Sequence, residues 1–207
     1  MAIVTGYYCT DRTTAAALTS TGVGFVGTLD ERDWLGLATY FYQEPSVARK
    51  RAIERSGGAP LQLAIVECDI DLRDCLDFLD PRVAASVRNA EPAFLDYEQK
   101  SGIPVLPQAR MRVVDGLVSF AQPMPSPYAS ASAQSPYVNR RDAMFLDWYI
   151  SDLAKIEGKK KTCIRAAFVG GRALFRESLI FDEVHIQIAV KDLGVVIKPR
   201  PYTLEPA

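Results

Sequence analysis

The sequence predicts an α+β fold. Short segments rich in β-branched and aromatic residues are interrupted by helix-like segments, without the regular strand-helix rhythm of a parallel α/β sheet. No internal repeat is present. With 207 residues, of which 48% are hydrophobic and 24% charged, the chain has the size and composition of one domain with a substantial core. We therefore predict a single α+β domain over residues 1–207.

The first 60 residues contain signals for two strands and two helices. Strands are predicted at 3–10 and 38–42, where β-branched and aromatic residues dominate, with a loop over 24–32 between them. The helix boundaries follow from capping and stop residues: Asp11 or Thr13 as the first N-cap, Gly22 as the first stop, Pro45 and Ser46 as the second start, and Gly57 and Gly58 as the second stop.

The rest of the chain has less regular signals. An apolar strand at 61–70 is predicted to lie centrally in a sheet, and residues 72–99 are predicted to be helical, with interruptions at Pro81 and Pro92. Residues 111–120 fit neither pattern, and the Pro-, Ser- and Ala-rich stretch 122–136 predicts a mobile loop. Periodicity predicts the remaining elements: a helix at 140–156, strands at 162–168 and 183–190, and an extended piece at 195–198.

The bulk charge and the N-terminus argue against several classes of protein. A formal net charge of −1 gives no overall attraction to nucleic acid, membranes or acidic ligands, so any basic patch must be local. The opening MAIVTGYYCT has neither the basic start nor the apolar run of a signal peptide. No segment reaches the roughly 20 apolar residues of a membrane-spanning helix. We expect a cytoplasmic protein that does not associate with membranes.

The four cysteines are scattered without a Cys-x-x-Cys pair, and the chain has one histidine. This set cannot form a conventional zinc site, so we expect structural thiols and no metal. A cysteine nucleophile needs a base nearby, and Cys9 or Cys163 with His185 is the alternative that the sequence offers.

The segment FDEVHIQIAV, residues 181–190, carries the only histidine, His185. In a strand, Glu183, His185 and Gln187 point to one face, while the aliphatic residues between them favour burial. This pattern fits either the polar floor of a cleft or a half-exposed strand whose polar side faces water.

Three motifs occur in order along the chain. GYYCT, residues 6–10, is similar to a Tyr-His-Gly-Thr strand, and WLGLATYF, residues 34–41, is similar to a W-L-G-x-G-x-Y-F signature. IRAAFVGGRALF, residues 164–175, followed by HIQIAV, is similar to an Arg-x-x-Phe-x-x-Gly…His-Ile-Gln-Ile block. Together they resemble the bacterial and phage-linked NAD-dependent ADP-ribosyltransferase-like domains, including toxin-like members.

The resemblance implies an ADP-ribosyltransferase-like fold, with a split antiparallel β core flanked by helices. It implies NAD as a substrate and no metal. Such enzymes break the nicotinamide–ribose bond through an oxocarbenium-like ribose and transfer ADP-ribose to an acceptor. The chain would then be a toxin or effector that acts on a nucleic acid or a protein, and a neutralising antitoxin protein would be its partner.

The resemblance also assigns residues to the NAD side of the site. Tyr40 would stack on the nicotinamide ring, although the same residue also fits as an ordinary core aromatic. Tyr8, at the position of the family's histidine, and Thr10 would hydrogen-bond the adenosine ribose. Cys9 stands where relatives have glycine, and Gly36 belongs to the W-L-G signature; both are placed with the NAD-binding residues.

Arg165 comes from the Arg-x-x-Phe match and would bind a diphosphate or an acceptor phosphate, or else form a surface salt bridge. Other basic groups that would guide a nucleic-acid acceptor, or simply be solvated, are Arg49, Lys50, Arg51, Arg140, Arg141 and Lys159 to Lys161.

The catalytic assignments fall on the last long strand. Gln187 aligns with a glutamate that hydrogen-bonds the ribose 2′-hydroxyl and stabilises the developing cation, and His185 lies at the acceptor-side position two residues earlier. Glutamine keeps the hydrogen bond but loses the charge, and Glu183 is the alternative carboxylate. Because Tyr8, Cys9 and Gln187 replace the usual residues, a catalytically silent NAD- or partner-binding module is the alternative function.

Overall fold

The computed structural model describes residues 2–22, 25, 35–56, 62–101, 110–114, 117–121, 137–173 and 181–203. The strands in these residues are β1 Ile3–Asp11, β2 Thr39–Tyr42, β3 Leu63–Asp71, β4 Cys75–Asp77, β5 Arg110–Val114, β6 Leu117–Ala121, β7 Cys163–Ala173, β8 Phe181–Val190 and β9 Val196–Tyr202. The helices are α1 Arg12–Thr21, α2 Pro45–Arg55, α3 Pro81–Asn89, α4 Glu91–Ser101 and α5 Tyr137–Glu157. The predicted α+β class is confirmed.

Eight strands follow one another in the order β5-β6-β7-β8-β2-β1-β3-β9, and all of these neighbours are antiparallel. The ninth, β4, pairs in parallel with the start of β7. The pairing is extensive within β7–β8 and β1–β3, but β1 meets β2 at the single position Tyr7–Tyr42. We call this junction the seam. In the described residues the β core is therefore one path with a narrow join, rather than two separate sheets.

The first helix follows its sequence signals closely. The Asp11 side chain accepts a hydrogen bond from the backbone N–H of Thr14 at 2.9 Å, so Asp11 is the N-cap and Thr13 is not. Gly22 ends the helix with φ of +68°, a left-handed conformation that glycine adopts at little cost. The predicted strands at 3–10 and 38–42, the helix after Pro45 and the interior position of β3 are likewise confirmed.

The prediction of a helix over 72–99 is wrong at its start. Residues Cys75–Asp77 form β4, because they pair with β7 some ninety residues later, and no local pattern reveals such a contact. Pro81 is the first residue of α3 and Pro92 lies in the first turn of α4. Proline has no N–H to contribute there, so these prolines begin helices rather than interrupt one.

The other predicted elements are confirmed or completed. The helix predicted at 140–156 begins at Tyr137, and the strand predicted at 162–168 extends to Ala173. The unassigned stretch 111–120 contains the hairpin β5–β6, and the piece at 195–198 belongs to β9. The predicted loop 122–136 lies outside the described residues, as does 24–32 except for Phe25.

Two hydrophobic clusters cover the two faces of the sheet. On the α5 face, β2, β7 and β8 pack against α5 and α3, with Ala48 of α2 at the side; the buried members there include Tyr40, Tyr42, Leu146, Ile150, Ile164 and Ala189. On the α1 face, the sheet packs against α1; the buried members include Leu18, Phe41, Val66, Cys68 and Ile188. Alternate residues of β1, β2, β7 and β8 thus enter different clusters.

Lys191, just after β8, ties the turn before β2 to α5. Its Nζ donates to the carbonyls of Leu35 at 2.8 Å and Leu37 at 3.1 Å, and to Asp147 Oδ1 at 2.5 Å. Burial lowers the pKa of Lys191, which the Asp147 carboxylate opposes. Gly36 has φ of +79°, and a Cβ there would stand 2.6 Å from the Asp147 carboxylate oxygens. We call Leu35 to Leu37 with Lys191 and Asp147 the lysine clamp.

Each described helix is too short or too polar to cross a membrane.

A Lys191→Met substitution should destabilise the protein by about 1–3 kcal/mol, because it leaves two carbonyls and a carboxylate without their common donor. The side chain is 8% exposed, so water does not replace it in full. Urea denaturation followed by circular dichroism measures the change. Lys159→Met is the matched control, since the Lys159 side chain is 65% exposed in its ion pair with Asp74. Equal effects of the two substitutions would refute a structural role for the clamp.

Candidate functional site

Strands that carry the three sequence motifs lie side by side. GYYCT is in β1, the end of WLGLATYF is β2, and HIQIAV and IRAAFVGG are in β8 and β7. Their order across the sheet is β7-β8-β2-β1. Segments about 150 residues apart in sequence, such as Thr39 and Val190, thus meet in adjacent strands, and the candidate site is built where they meet.

One row of paired residues crosses these strands on the α5 face. Gln187 lies opposite both Tyr42 and Ala166, and Tyr42 lies opposite Tyr7 at the seam. Directly opposite residues of antiparallel strands send their side chains to the same face. Gln187 and Tyr42 are buried, and Tyr7 is half-buried. We call Tyr7, Tyr42 and Gln187 the seam row.

His185 lies beside the seam row and is bonded to it. Its Nε2 and the Gln187 Nε2 are 2.8 Å apart. Because an amide nitrogen only donates, His185 Nε2 accepts in this arrangement, and the neutral ring carries its proton on Nδ1. The ring stacks on Phe168, with centroids 5.9 Å apart, and lies 6.1 Å from the Tyr42 ring. The histidine is therefore held in position on two sides by aromatic rings.

The polar face of β8, which carries His185 and Gln187, is buried in the structure. His185 and Gln187 are 5% and 7% exposed, whereas Val184 on the other face is 62% exposed. The expected burial of the alternate aliphatic residues holds at Ile188 and Val190 only. The prediction was wrong for Val184 because β8 extends beyond β2 there, and the α1-face cluster does not include it. Of the two interpretations of this strand, the one in which its polar side faces water is wrong for His185 and Gln187.

Tyr40 is a core residue in this structure. It is 2% exposed; its hydroxyl donates to the Gly36 carbonyl at 2.8 Å and accepts from the Leu35 N–H at 3.1 Å. Tyr40 lies opposite Ala189, which is two residues from Gln187 and on the same face of β8. Tyr40 thus braces the turn of the lysine clamp, and its ring is covered where the resemblance implies a stacking surface.

The residues assigned to the ribose divide between the two faces. Tyr8 and Thr10 lie on the α1 face, where the Tyr8 ring packs against Phe25 and Phe41 with centroids 5.5 and 5.7 Å away. Cys9 lies on the α5 face with Gln187. The structure therefore separates Tyr8 and Thr10 from the seam row by the thickness of the sheet, a consequence of strand alternation that motif matching overlooks.

Arg165 also lies on the α1 face, where it links two strands. Its Nη1 is 3.2 Å from Asp77 Oδ2 of β4, and its Nη2 donates to Gln43 Oε1 at 3.0 Å. Its buried Nε has no hydrogen-bond partner among the described residues. The guanidinium forms an internal ion pair, which is closer to the salt-bridge alternative than to a phosphate site at the seam row.

Neither cysteine alternative forms a nucleophile pair with His185. Cys163 lies on the α1 face, away from His185, and a hydrogen bond from the Cys75 thiol lowers the pKa of Cys163. Burial raises the pKa of Cys9 to about 11, and nearby Arg49 only partly opposes this. The Cys9 thiol is therefore protonated at neutral pH and is a weak nucleophile.

Glu183 is described in its backbone alone. It pairs with Gly170 in the part of β8 that extends past β2. Glu183 and Gln187 are four positions apart along the strand, a distance of about 13 Å. The seam row, with Gln187 in it, is thus the part of β8 that adjoins β2 and β1.

Two residues near the seam, Glu67 and Arg200, were missed from sequence. Glu67 of β3 lies opposite Tyr7, and its carboxylate accepts a hydrogen bond from the Tyr7 hydroxyl. Arg200 of β9 lies opposite Glu67 and donates to it from Nε at 2.6 Å, while its Nη2 donates to Asp69 at 3.1 Å. The segments that contain them carry no motif. Only the order of the strands places these residues next to β1, so no local pattern indicates them.

The geometry gives little support for a metal site or for a nucleic-acid-binding surface. Within the described ranges, no three His, Cys, Asp or Glu side chains are arranged to hold a metal ion. Lys159 and Lys161 pair with Asp74 and Glu157, at 2.5 and 3.2 Å. Arg49 and Lys50 are exposed on α2, and the side chains of Arg140 and Arg141 lie outside the described set. The lysine run is thus largely neutralised by local carboxylates.

No protein-family model, no curated protein and no solved structure matches this chain. The fold and site define an α+β domain whose candidate site is a polar row across a narrow join in its sheet.

A Tyr40→Phe substitution should destabilise the fold by about 1–3 kcal/mol, since it keeps the ring but leaves a buried N–H and carbonyl of the clamp turn without their partner. Thermal denaturation measures the loss. Tyr97→Phe is the control, because Tyr97 is 39% exposed. If Tyr40→Phe melts at the temperature of the unaltered protein, the hydroxyl does not brace the turn.

Proposed function

We propose that the protein is an NAD-dependent ADP-ribosyltransferase of the toxin or effector type, with an ADP-ribosyltransferase-like fold. One observation carries the proposal: the three motifs that resemble this family, although far apart in sequence, lie on the four consecutive strands β7-β8-β2-β1. A chance resemblance of separate segments has no reason to place them next to one another.

In the proposed reaction, NAD binds along the seam row and loses nicotinamide. Gln187 hydrogen-bonds the ribose, and its amide dipole stabilises the positive charge that develops on the sugar. His185 orients Gln187 through the 2.8 Å bond and lines the acceptor side of the site. Phe168 and Tyr42, packed around His185, exclude water from this pair. The acceptor then captures the ribose carbon from which nicotinamide has departed.

The acceptor is a macromolecule, either nucleic acid or protein, and we expect the reaction in the cytoplasm with an antitoxin protein as the neutralising partner. The exposed basic groups Arg49 and Lys50 on α2 are the local charges that favour a phosphate-bearing acceptor.

A second candidate function is a catalytically silent NAD- or partner-binding module on the same fold. The observation that favours it is the buried, uncharged pair His185–Gln187 in place of a carboxylate. A neutral pair still binds a sugar hydroxyl but contributes less to cation stabilisation than a charge does. Calorimetric binding of NAD without nicotinamide release would identify this module.

Purified protein incubated with NAD labelled in the adenylate part, together with cell extract, should release nicotinamide and transfer label to RNA, DNA or protein. A Gln187→Ala substitution should lower the rate of nicotinamide release about 100-fold, the typical effect of removing one group that stabilises the transition state. Glu183→Ala on the same strand is the matched variant, and we expect it to retain most activity, because Glu183 lies beyond β2.

If Glu183→Ala loses more nicotinamide-release activity than Gln187→Ala, Glu183 and not Gln187 is the catalytic residue. If the protein neither releases nicotinamide nor binds NAD in calorimetry, the transferase and the NAD-binding module are both excluded, and only the partner-binding module is left. Circular dichroism of each variant separates loss of the fold from loss of the reacting group.

A further inference from the structure

We propose that Tyr7 is the residue of β1 that binds a ribose hydroxyl of the dinucleotide, and that Glu67 and Arg200 orient the Tyr7 hydroxyl for this contact. This inference rests on the proposed function. It assigns to Tyr7 a role that motif position assigns to Tyr8, and it gives β3 and β9 a part in the site.

The choice between the two tyrosines follows from strand alternation. Tyr7 lies opposite Tyr42, which lies opposite Gln187, so the side chains of all three lie on the α5 face. Two strand spacings separate Tyr7 from Gln187, about 10 Å between their Cα atoms. Tyr8 points to the α1 face, into the aromatic cluster with Phe25 and Phe41. A ligand bound against Gln187 therefore meets Tyr7 and not Tyr8.

The hydroxyl of Tyr7 has a fixed environment. The hydroxyl forms a hydrogen bond with the Glu67 carboxylate, and Glu67 Oε1 accepts a hydrogen bond from Arg200 Nε at 2.6 Å. Arg200 is itself fixed by Asp69, 3.1 Å from its Nη2. The Tyr7 ring meets the Tyr202 ring edge to face, with centroids 5.0 Å apart. The Arg200–Glu67 ion pair and the hydrogen bond from Tyr7 to Glu67 thus fix the direction of the phenol O–H.

A tyrosine hydroxyl has one proton and two lone pairs. Because the phenol O–H is engaged in the hydrogen bond to Glu67, the Tyr7 oxygen offers a ligand acceptor sites only. It therefore selects ligand groups that donate, such as a sugar hydroxyl, and disfavours phosphate and carboxylate oxygens. Burial, followed by the negative charge of Glu67, raises the pKa of Tyr7, so the phenol stays protonated and keeps this polarity at neutral pH.

The test compares two isosteric substitutions on neighbouring residues, Tyr7→Phe and Tyr8→Phe. For Tyr7→Phe we expect the Kd and KM for NAD to rise roughly 3- to 10-fold, the effect of one hydrogen bond, with kcat within twofold. For Tyr8→Phe we expect both constants within twofold, since its hydroxyl lies on the other face. Circular dichroism confirms that both variants are folded.

Analogues of NAD that lack single ribose hydroxyls identify the contact. One deoxy analogue should bind the unaltered protein more weakly by the same factor as the Tyr7→Phe change, and should bind Tyr7→Phe no more weakly than NAD does. If Tyr7 has only a structural role, each deoxy analogue should lose the same factor of affinity relative to NAD in Tyr7→Phe as in the unaltered protein.

Glu67→Gln tests the orienting group without touching either tyrosine. Removal of the charge should lower the pKa of Tyr7, measured as the part of the ultraviolet phenolate titration that Tyr7→Phe abolishes. It should also raise KM for NAD in the same direction as Tyr7→Phe. If Tyr7→Phe does not fold, the effect of Glu67→Gln on KM for NAD decides the question.

The outcomes separate this inference from the proposed function. If the protein turns over NAD and Tyr8→Phe weakens binding as much as Tyr7→Phe or more, the inference is overturned and the function stands. The same holds if every deoxy analogue weakens binding equally in both proteins, or if Glu67→Gln leaves both KM and the Tyr7 titration unchanged. If the unaltered protein neither binds nor cleaves NAD, the function is overturned and the inference with it.

Discussion

The pairing of Tyr7 with Tyr42 is the constraint on which the rest of the site depends. Among the described residues it is the one paired position at which β9-β3-β1 joins β2-β8-β7. Because side chains alternate along a strand, a shift of one residue at this point would move Tyr8 to the α5 face and Tyr7 to the α1 face. The two clusters oppose such a shift, since Tyr8 is held by Phe25 and Phe41. The apolar core thereby decides which polar groups meet Gln187.

The lysine clamp complements the seam at the other end of β2. This strand has only four residues, so its own hydrogen bonds hold it weakly. Lys191 follows directly after β8 and binds the turn that precedes β2, while Asp147 links both to α5. Tyr40 closes the same turn from within β2. The short strand between β8 and β1 is thus fixed at both ends, and the seam row between them has a defined geometry.

The parts of the fold that sequence predicts well are those with local causes. The cap at Asp11 and the stop at Gly22 act over one helical turn, and both are seen where they were predicted. The failures have causes at a distance. Nothing near Cys75 indicates that it pairs with Cys163, and the sequence near Val184 does not show that β8 outruns β2.

The same distinction applies to the candidate site. Its β8 residues, His185 and Gln187, were found from alternation and motif, because both signals lie within one strand. The division of Tyr7 and Tyr8 between faces needed the register of β1 against β2, which is not a local property. Glu67 and Arg200 needed the order of two further strands. Strand order is set by packing of the whole chain, so residue patterns alone do not contain it.

The neutral pair His185–Gln187 has a chemical logic of its own in the proposed reaction. When the Gln187 amide donates to His185 Nε2, its oxygen lies on the opposite side of the amide group and gains acceptor strength through polarisation. With its Nε2 atom as the acceptor of this bond, His185 adds no positive charge of its own beside the sugar. In a buried site the amide dipole acts with less screening than it would in water. Burial, which removes the advantage of a free carboxylate through desolvation, therefore favours an oriented dipole at this position.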